Sequence, residues 1–289
     1  MPTKIIDLNR TKNYRSSLPL VIGYFGCVHK KHLELLTKHK VFNILTFKPF
    51  KIKKSHELYD FRTRLTYLQS FRPQNILVFS IEEDNLNGKQ FIEKYLQKIN
   101  PKRIVIGSNF CFGKDNCKVD ILKKYFILDV IKYERKYSTT KIRCLIEQKK
   151  MKEANKLLYE PFFVCSKWVS GVKQGRKIGF PTINLIPNYK VNLPFGSYLS
   201  KIQIGKTICP SVTFIGKSKT MNSKKTSFET HVIDKNIKPR TSFSARIQNN
   251  IKVRLFAYVD KVEKFKNINI LKTKIRKTIV KAKKYFSYN

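Results

Sequence analysis

The first half of the chain alternates short apolar runs with longer amphipathic stretches. The apolar runs have the length and the branched or aromatic residues that are typical of buried strands, and the amphipathic stretches have helical spacing. The runs are 18–25, 41–47, 75–79 and 103–107, and the candidate helices between them are 30–40, 56–71 and 88–99. This alternation predicts an α/β domain with a parallel sheet, in which ligands bind beyond the carboxyl ends of the strands.

The pattern changes in the second half. A further amphipathic stretch at 140–158 predicts a helix that ends before Pro161. Short β-rich runs separated by polar turns follow it and predict an antiparallel barrel or sandwich. These runs are 162–169, 182–186, 197–204, 211–215, 228–233 and 251–259, and an amphipathic stretch at 268–285 predicts a terminal helix. We therefore expect two domains, 1–160 and 161–289.

Charge is the strongest compositional signal. The chain has 60 Lys and Arg against 19 Asp and Glu, a formal net charge of +41. Such a field attracts anions and makes a nucleic-acid partner worth considering. Because the lysines are spread through both halves, we expect a solvated basic surface that attracts nucleic acid only nonspecifically. The six cysteines form no Cys-x-x-Cys pair, so we expect free thiols rather than a zinc ribbon or a disulfide framework.

No membrane-directed segment is evident in the sequence. The basic start leads into polar residues from Thr11 onward rather than into an apolar run, and no apolar stretch approaches membrane-spanning length. We therefore expect a cytoplasmic protein without a membrane partner.

Two neutral oxygen ligands stand two residues apart in the second half. If the residues after Pro181 are extended, Thr182 and Asn184 lie on one face, whereas Ile183 and Leu185 lie on the other. Magnesium prefers hard oxygen donors and keeps nucleotide phosphates among its ligands, so the pair would suit Mg²⁺ with ATP. The same residues also fit a buried strand entered from a turn, and this segment alone leaves both readings open.

A histidine pair marks the first half. Gly23 follows an apolar run, and His29 and His32 stand three residues apart at a predicted helix start. That place suits phosphate, because a helix N-terminus offers free N–H groups. Histidines at this spacing are equally compatible with a metal site or with ordinary packing.

Five segments in the same order resemble the bacterial bifunctional riboflavin kinase/FMN adenylyltransferase family, also called FAD synthetase. They are 21–32, 106–113, 137–143, 175–185 and 228–234. The resemblance implies an N-terminal α/β nucleotidyltransferase domain with a Rossmann-like parallel sheet. It also implies a C-terminal riboflavin kinase domain, a six-stranded antiparallel β-barrel with a terminal helix. Five segments in one order are far more specific than any one of them.

The implied reactions are ATP-dependent phosphorylation of riboflavin to FMN and adenylylation of FMN to FAD, with release of pyrophosphate. ATP is then a co-substrate, Mg²⁺ a cofactor, and riboflavin and FMN are ligands. Two alternatives stay open: a monofunctional riboflavin kinase with a degenerate adenylyltransferase domain, and a basic nucleic-acid-binding protein on the same scaffold.

The resemblance also implies roles for individual residues. In the kinase half, Thr182 and Asn184 would hold the metal and Glu229 would be the catalytic base. In the other half, His29 and His32 would contact the ATP phosphates during catalysis. Residues implied in ATP or phosphate binding are Gly23, Ser138, Thr139, Thr140, Arg143, Gly175, Arg176 and Lys177, and those implied in flavin binding are Asn109, Phe110 and Phe112.

The chain departs from the family pattern in the first segment. Gly26 stands where the family usually has aspartate, and Cys27 and Lys31 stand where it usually has glycine. A lysine at position 31 would either block the nucleotide or supply a charge to its phosphates, and the sequence does not decide between them. Asp260 stands where the family usually carries an arginine over the flavin, which puts flavin affinity in doubt.

Overall fold

The computed structural model describes residues 2–11, 13–50, 57–170, 174–217, 226–233 and 250–287. The chain forms two compact units, Met1–Lys141 and Ile142–Asn289. Each has its own sheet, which confirms the predicted fold class.

A six-stranded parallel sheet forms the first unit. Its spatial order is β1-β4-β3-β2-β5-β8. The strands are β1 (Lys4–Asp7), β2 (Leu20–Ile22), β3 (Asn43–Phe47), β4 (Asn75–Phe79), β5 (Arg103–Gly107) and β8 (Ile127–Ile131), and a small hairpin adds β6 (Cys111–Phe112) and β7 (Cys117–Lys118). The four central strands are buried except at some of their end residues and were predicted, because their sequences are mostly continuous apolar runs. The two edge strands β1 and β8 were missed, because partly exposed strands mix polar and apolar residues.

Besides a 3-10 turn at Val119–Lys124, three helical segments of the described chain connect these strands. They are α1 (Lys30–Leu36), α2 (Phe61–Gln69) and α3, which runs through Gly88–Phe91, a π-helical turn Ile92–Leu96, and Gln97–Ile99. Asp60 and Asn87 cap α2 and α3 with their side chains. The three helices lie within the predicted ranges, although α1 and α2 are both shorter than expected, and residue 56 of the predicted second helix lies outside the described residues.

The predicted helix at 140–158 is two helices in the structure, α4 (Thr139–Glu147) and α5 (Met151–Leu157). Lys149 ends α4 in the left-handed conformation, with φ at 65°. The Lys150 and Lys149 amides donate to the carbonyls of Leu145 and Ile146, which is a Schellman ending. The prediction of one continuous helix was wrong. The break was missed because lysine, rather than the usual glycine or asparagine, occupies the left-handed position that ends α4.

A closed six-stranded antiparallel barrel forms the second unit, as predicted. Its order is β10-β13-β12-β11-β14-β9. The strands are β9 (Phe163–Trp168), β10 (Ile183–Pro187), β11 (Gly196–Ile204), β12 (Thr207–Lys217), β13 (Thr226–Val232) and β14 (Ile251–Lys261), and the short helix α6 (Gln174–Lys177) lies between β9 and β10.

Two helices pack against the barrel, α5 before its first strand and a terminal helix after its last strand. In α5, the Asn155 amide nitrogen donates to the Leu255 carbonyl at 2.8 Å, and its oxygen accepts from the Phe162 amide at 2.8 Å. The sequence places α5 in the first domain, but these bonds fasten it to β14 and group it with the barrel. The terminal helix α7 (Ile268–Ser287) buries Ala282 against Leu199 and Ala257. Within the described chain, no helix is long and apolar enough to span a membrane.

Hydroxyl groups inside the barrel fix which residues of β13 face outward. The fully buried Thr230 hydroxyl lies 3.0 Å from that of Thr213, which lies 2.8 Å from Ser200. Because side chains alternate along a strand, an inward Thr230 turns Glu229 and His231 to the outer surface. This alternation sets the position of the predicted kinase base.

Candidate active sites

A strained turn follows β2 in the first unit. Phe25 adopts a left-handed conformation with φ at 52° although it has a bulky side chain. A Cβ atom on Gly23 would lie 2.7 Å from the ring of Phe25, so glycine is required for that ring to fold back beneath the turn. The Gly23 amide donates to the Leu45 carbonyl in the middle of the neighbouring strand β3, at 3.1 Å. The predicted contact between Gly23 and phosphate stays a prediction.

The turn leads directly to the histidine pair. His29 is the N-cap of α1, where its Nδ1 accepts from the His32 amide at 3.2 Å. The Nδ1 of His32 lies 2.7 Å from the Cys27 carbonyl oxygen. The two rings stack with centroids 3.6 Å apart and an interplanar angle of 14°. Sequence spacing and the cap together place both rings at the carboxyl edge of the sheet.

These contacts assign the proton on each ring. A backbone amide only donates, so Nδ1 of His29 is unprotonated and its Nε2 carries the proton. A carbonyl only accepts, so His32 carries its proton on Nδ1. Burial lowers the pKa of His29 to about 4, and burial with repulsion from His29 lowers the pKa of His32 to about 3. Both rings are neutral at pH 7, and His29 is the one with an Nε2–H donor.

The 137–143 segment approaches the same turn. The Thr139 hydroxyl lies 3.5 Å from the Cys27 sulfur, and a Cβ on Gly26 would lie 3.5 Å from the Thr139 methyl group. Cys27 is buried, which raises the pKa of its thiol to about 12. The thiol is therefore protonated, and the structure brings Thr139 next to Cys27 of the first segment, while its predicted phosphate contact stays a prediction.

The other residues of this segment belong to the start of α4. The Ser138 hydroxyl accepts from the Lys141 amide at 3.1 Å and so caps the helix. Thr140 is exposed in the first turn, and Arg143, one turn later, lies 3.8 Å from Glu147. Thr139 and Arg143 are four residues apart and share one helix face. Ser138 has a structural role, and its predicted phosphate contact stays a prediction.

Lys31 is held by two carboxylates. Its ammonium group lies 2.8 Å from Glu34 and 2.7 Å from Glu134, and these partners raise its pKa. The pair Lys31 and Glu134 connects the start of α1 to the loop before α4. In this arrangement the ammonium group of Lys31 is paired with two carboxylates. The sequence left open whether Lys31 blocks the nucleotide or supplies a charge to its phosphates, and this pairing directs the charge to Glu34 and Glu134.

The predicted flavin residues differ in exposure. Phe112 is buried in the core, where its ring lies 6.0 Å from Phe91. Phe110 is partly exposed and stacks on Phe47 with centroids 6.0 Å apart, and Asn109 is exposed beside it. Phe110 and Asn109 are thus accessible to solvent, whereas the Phe112 ring stacks on that of Phe110 with centroids 6.2 Å apart, and their predicted contact with flavin stays a prediction.

The barrel brings the predicted kinase residues together. Asn184 on β10 is directly opposite Glu229 on β13 in the ladder, so their side chains share the outer face. Thr182 lies just before β10 on the same side as Asn184. Two neutral oxygen donors and one carboxylate therefore converge at one place on the barrel.

A compact loop precedes this place. The Phe180 amide donates to the Gly175 carbonyl at 2.7 Å, and a Cβ on Gly175 would lie 2.4 Å from the Phe180 carbonyl oxygen and 3.3 Å from the Thr182 hydroxyl. Gly175 is therefore required for the loop to close on Thr182. Arg176 and Lys177 are exposed in α6, where they are available to anions.

His231 lies in the 228–234 segment, and the resemblance implied no role for it. It lies two residues after Glu229 on the same face, and its Nδ1 donates to the Pro181 carbonyl at 2.8 Å. Its ring also meets Phe180 edge-on, with centroids 6.0 Å apart. His231 therefore fastens the 175–184 loop to the strand of Glu229. The sequence signal that could have identified His231 as a site residue is its position two residues after Glu229, which places both on one face of a strand.

Asp260, which stands where the family usually carries an arginine over the flavin, is paired with the terminal helix. Its carboxylate lies 2.9 Å from the ammonium of Lys274 and accepts from the Thr278 hydroxyl at 3.3 Å. A cation is thus present beside position 260, supplied by α7 instead of by β14.

Comparison with known families agrees with this division of the chain. The model described as FAD synthetase matches residues 11–126, and the model described as Riboflavin kinase matches residues 158–286. A bifunctional riboflavin kinase/FMN adenylyltransferase of Buchnera aphidicola subsp. Schizaphis graminum is 30% identical over 98% of this chain and 98% of its own length.

Two further comparisons cover nearly the whole chain. The trifunctional protein RibF/MnmA of Mycoplasmoides gallisepticum is 33% identical over 95% of this chain, which spans 41% of that relative. A crystal structure titled as a macrolide-efflux protein from Streptococcus pneumoniae has a TM-score of 0.77 at 24% identity, covering 96% of this chain and 97% of that one. The structural match supports the fold alone. The sequence matches show that the chain belongs to the bifunctional riboflavin kinase/FMN adenylyltransferase family.

Proposed function

We propose that the two activities of this family are carried out by separate sites on the two units, with ATP as the donor in both. The barrel phosphorylates riboflavin to FMN, and the parallel-sheet unit transfers an adenylyl group to FMN, forming FAD. The observation that carries the proposal is the convergence of the two sets of residues, Thr182, Asn184 and Glu229 on one unit and His29, His32 and Thr139 on the other.

In the kinase reaction Glu229 accepts the proton of the ribityl hydroxyl as that oxygen attacks the γ-phosphorus of ATP. Its outer-face position opposite Asn184 supports this role. The loop at 175–180 presents Arg176 and Lys177 toward anionic phosphates, where positive charge stabilises the negative charge of the transferred group.

The donor set fits magnesium. Thr182 and Asn184 offer neutral oxygen atoms, the ligand type that Mg²⁺ prefers when nucleotide phosphates fill the remaining positions. When bound, the ion supplies charge neutralisation and orientation to the phosphates. Thr182 and Asn184 would hold it, and Asn184 would place it next to Glu229 across the strand pair.

In the adenylyl transfer the FMN phosphate attacks the α-phosphorus of ATP, so no protein nucleophile is needed. Catalysis then consists of orientation and stabilisation of developing charge. His29 donates from Nε2 to a phosphate oxygen, and its neutral state at pH 7 leaves that donor in a fixed direction. His32 holds the Cys27 carbonyl and orients His29 by stacking on it. Thr139 and the first turn of α4 receive the departing phosphates.

Product analysis tests both assignments in one protein. The full-length chain is incubated with riboflavin, ATP and Mg²⁺, and flavins are separated over time. We expect FMN first and FAD afterwards. FMN alone would contradict the adenylyltransferase assignment, and neither product would contradict both.

Matched variants then separate the two sites. Glu229→Gln should lower FMN formation by about 100-fold or more, since general base catalysis contributes about 10² to 10⁴. It should still convert supplied FMN to FAD. His29→Asn keeps a capping side chain but lacks the Nε2 donor, so FAD formation should fall about 100-fold while FMN formation is unchanged. His39→Gln, a change at a histidine paired with Asp129, is the control and should affect neither.

The remaining expectations concern surroundings rather than chemistry. A cytoplasmic location, which gives access to ATP, stays part of the proposal. The charge of +41 is proposed to bind nucleic acid only nonspecifically, with an affinity that falls steeply as salt rises.

A further inference from the structure

A buried arginine lies beneath the turn that carries the histidine pair. Arg64 on α2 is 1% exposed, and two of its guanidinium nitrogens donate to backbone carbonyls. Nη1 donates to Tyr24 at 2.6 Å, and Nη2 donates to Phe47 at 2.6 Å. Phe47 ends β3, and Tyr24 stands just beyond β2, the neighbouring parallel strand. One side chain therefore holds the carboxyl ends of two central strands, the edge where the adenylyl-transfer site lies.

Two aromatic rings and nearby acidic side chains surround the guanidinium group. It lies 4.2 Å from the ring centroid of Tyr24 and 5.2 Å from that of Phe61. The Tyr24 hydroxyl is hydrogen-bonded to the Glu57 carboxylate, and Asp60 caps the same helix. Burial lowers the pKa of Arg64, whereas Tyr24, Glu57 and Asp60 oppose that shift. These contacts hold the guanidinium with Nη1 and Nη2 directed at the two carbonyls.

The Tyr24 carbonyl is the last fixed point before the strained residue. It accepts from Arg64 and also from the Thr46 hydroxyl, at 3.1 Å. Phe25 follows immediately with its φ of 52°. A bulky residue stays in the left-handed region only when its neighbours determine its conformation. The two donors on Tyr24 and the packing of Phe25 beneath Gly23 provide that determination.

The strained residue in turn meets the catalytic pair. The Phe25 ring packs edge-on against His32 with centroids 5.1 Å apart, and His32 stacks on His29. His32 is also bonded to the Cys27 carbonyl, two residues after Phe25. A shift of the turn would therefore move both rings.

We propose that Arg64 is a positioning residue for adenylyl transfer: by holding the carbonyls of Tyr24 and Phe47, it fixes the turn at Phe25 and hence the direction of the His29 donor. Arg64 acts through the backbone and the histidines and does not touch the substrate. This inference rests on the proposed role of His29.

The test compares Arg64→Met, which keeps the bulk of the side chain but has no donor, with Arg64→Lys, which retains a donor group. Met should lower kcat for FAD formation about 10- to 100-fold, because small misplacements of catalytic groups have effects of that size. Lys should recover most of the loss. FMN formation by the same molecules is the internal control and should be unchanged. Equal FAD formation in wild type and Arg64→Met would overturn the proposal.

A double variant separates positioning from general loss of structure. If Arg64 acts through His29, Arg64→Met combined with His29→Asn should form FAD no more slowly than His29→Asn alone. Multiplying effects would overturn the proposal. Should Arg64→Met fail to fold, Thr46→Val carries the test, since it removes the other donor to Tyr24 and should lower FAD formation in the same direction. Unchanged FAD formation in Thr46→Val would then overturn it.

A spectroscopic measurement keeps the inference separable from the proposed function. The ring nitrogen signals of His29 and His32 report protonation and hydrogen bonding without any substrate. They should shift in Arg64→Met and return toward wild type in Arg64→Lys. Unshifted signals in Arg64→Met would overturn the positioning role, whether or not the wild type forms FAD. Absence of FAD formation in the wild type would contradict only the proposed reaction.

Discussion

At the scale of single residues, the histidine pair makes the stability of the first unit depend on pH. The pKa values of His29 and His32 in the folded chain, about 4 and about 3, lie below the ordinary value of 6.5. The unfolded chain therefore binds protons first as the pH falls, and stability is lost below about pH 6.5. The free energy of unfolding should decrease by about 2 kcal/mol for each histidine between pH 8 and pH 5. Denaturant titrations over that range, read from signals of the first unit, measure this loss.

The matched variant for this prediction is His29→Asn. It keeps the cap but does not titrate, so its stability should change less between pH 8 and pH 5 than that of the wild type. Working above pH 5 avoids the ordinary titration range of carboxylates. An identical pH dependence in both proteins would show that His29 is not held neutral by burial.

At the scale of elements, His231 connects the end of the 175–184 loop to the strand of the proposed base. Asparagine places an amide nitrogen near the position of Nδ1, whereas glutamine reaches the position of Nε2. His231→Asn should therefore keep the bond to the Pro181 carbonyl and His231→Gln should lose it. Loss of a bond of about 1 to 1.5 kcal/mol predicts about a five- to tenfold higher KM for ATP in the kinase reaction.

Steady-state kinetics of FMN formation measure the difference between these variants. Conversion of supplied FMN to FAD is the control and should be the same in both. If glutamine and asparagine give the same KM for ATP, the bond to Pro181 does not set the position of the loop.

At the scale of the whole molecule, the structure predicts where the second unit becomes independent. A fragment 161–289 lacks α5, whose Asn155 bonds to Leu255 and to Phe162 and whose Met151 and Ala154 are buried. A fragment 137–289 keeps α4 and α5 intact. We expect the longer fragment to unfold cooperatively on heating, followed by circular dichroism, and the shorter one to have a clearly lower Tm. Equal Tm values would favour the boundary after residue 160.

Much of this organisation could be predicted from the sequence, because it depends on local patterns. Continuous apolar runs indicated the central strands of the sheet, and alternating runs indicated all six strands of the barrel. The edge strands β1 and β8 and the break at Lys149 were missed, since exposure dilutes the apolar pattern and lysine rarely adopts the left-handed conformation.

By itself, the sequence determined the family, the two folds and the residue types at each site, since these follow from periodicity and from segments that keep their order along the chain. Only the tertiary structure decided which ring nitrogens of His29 and His32 carry protons, because those depend on backbone groups brought near by folding. The roles of Arg64 and His231 likewise became evident only from the tertiary structure. The backbone partners of Arg64 lie 40 and 17 positions away and that of His231 lies 50 positions away, and no local pattern links an arginine on a helix to carbonyls at the ends of two strands.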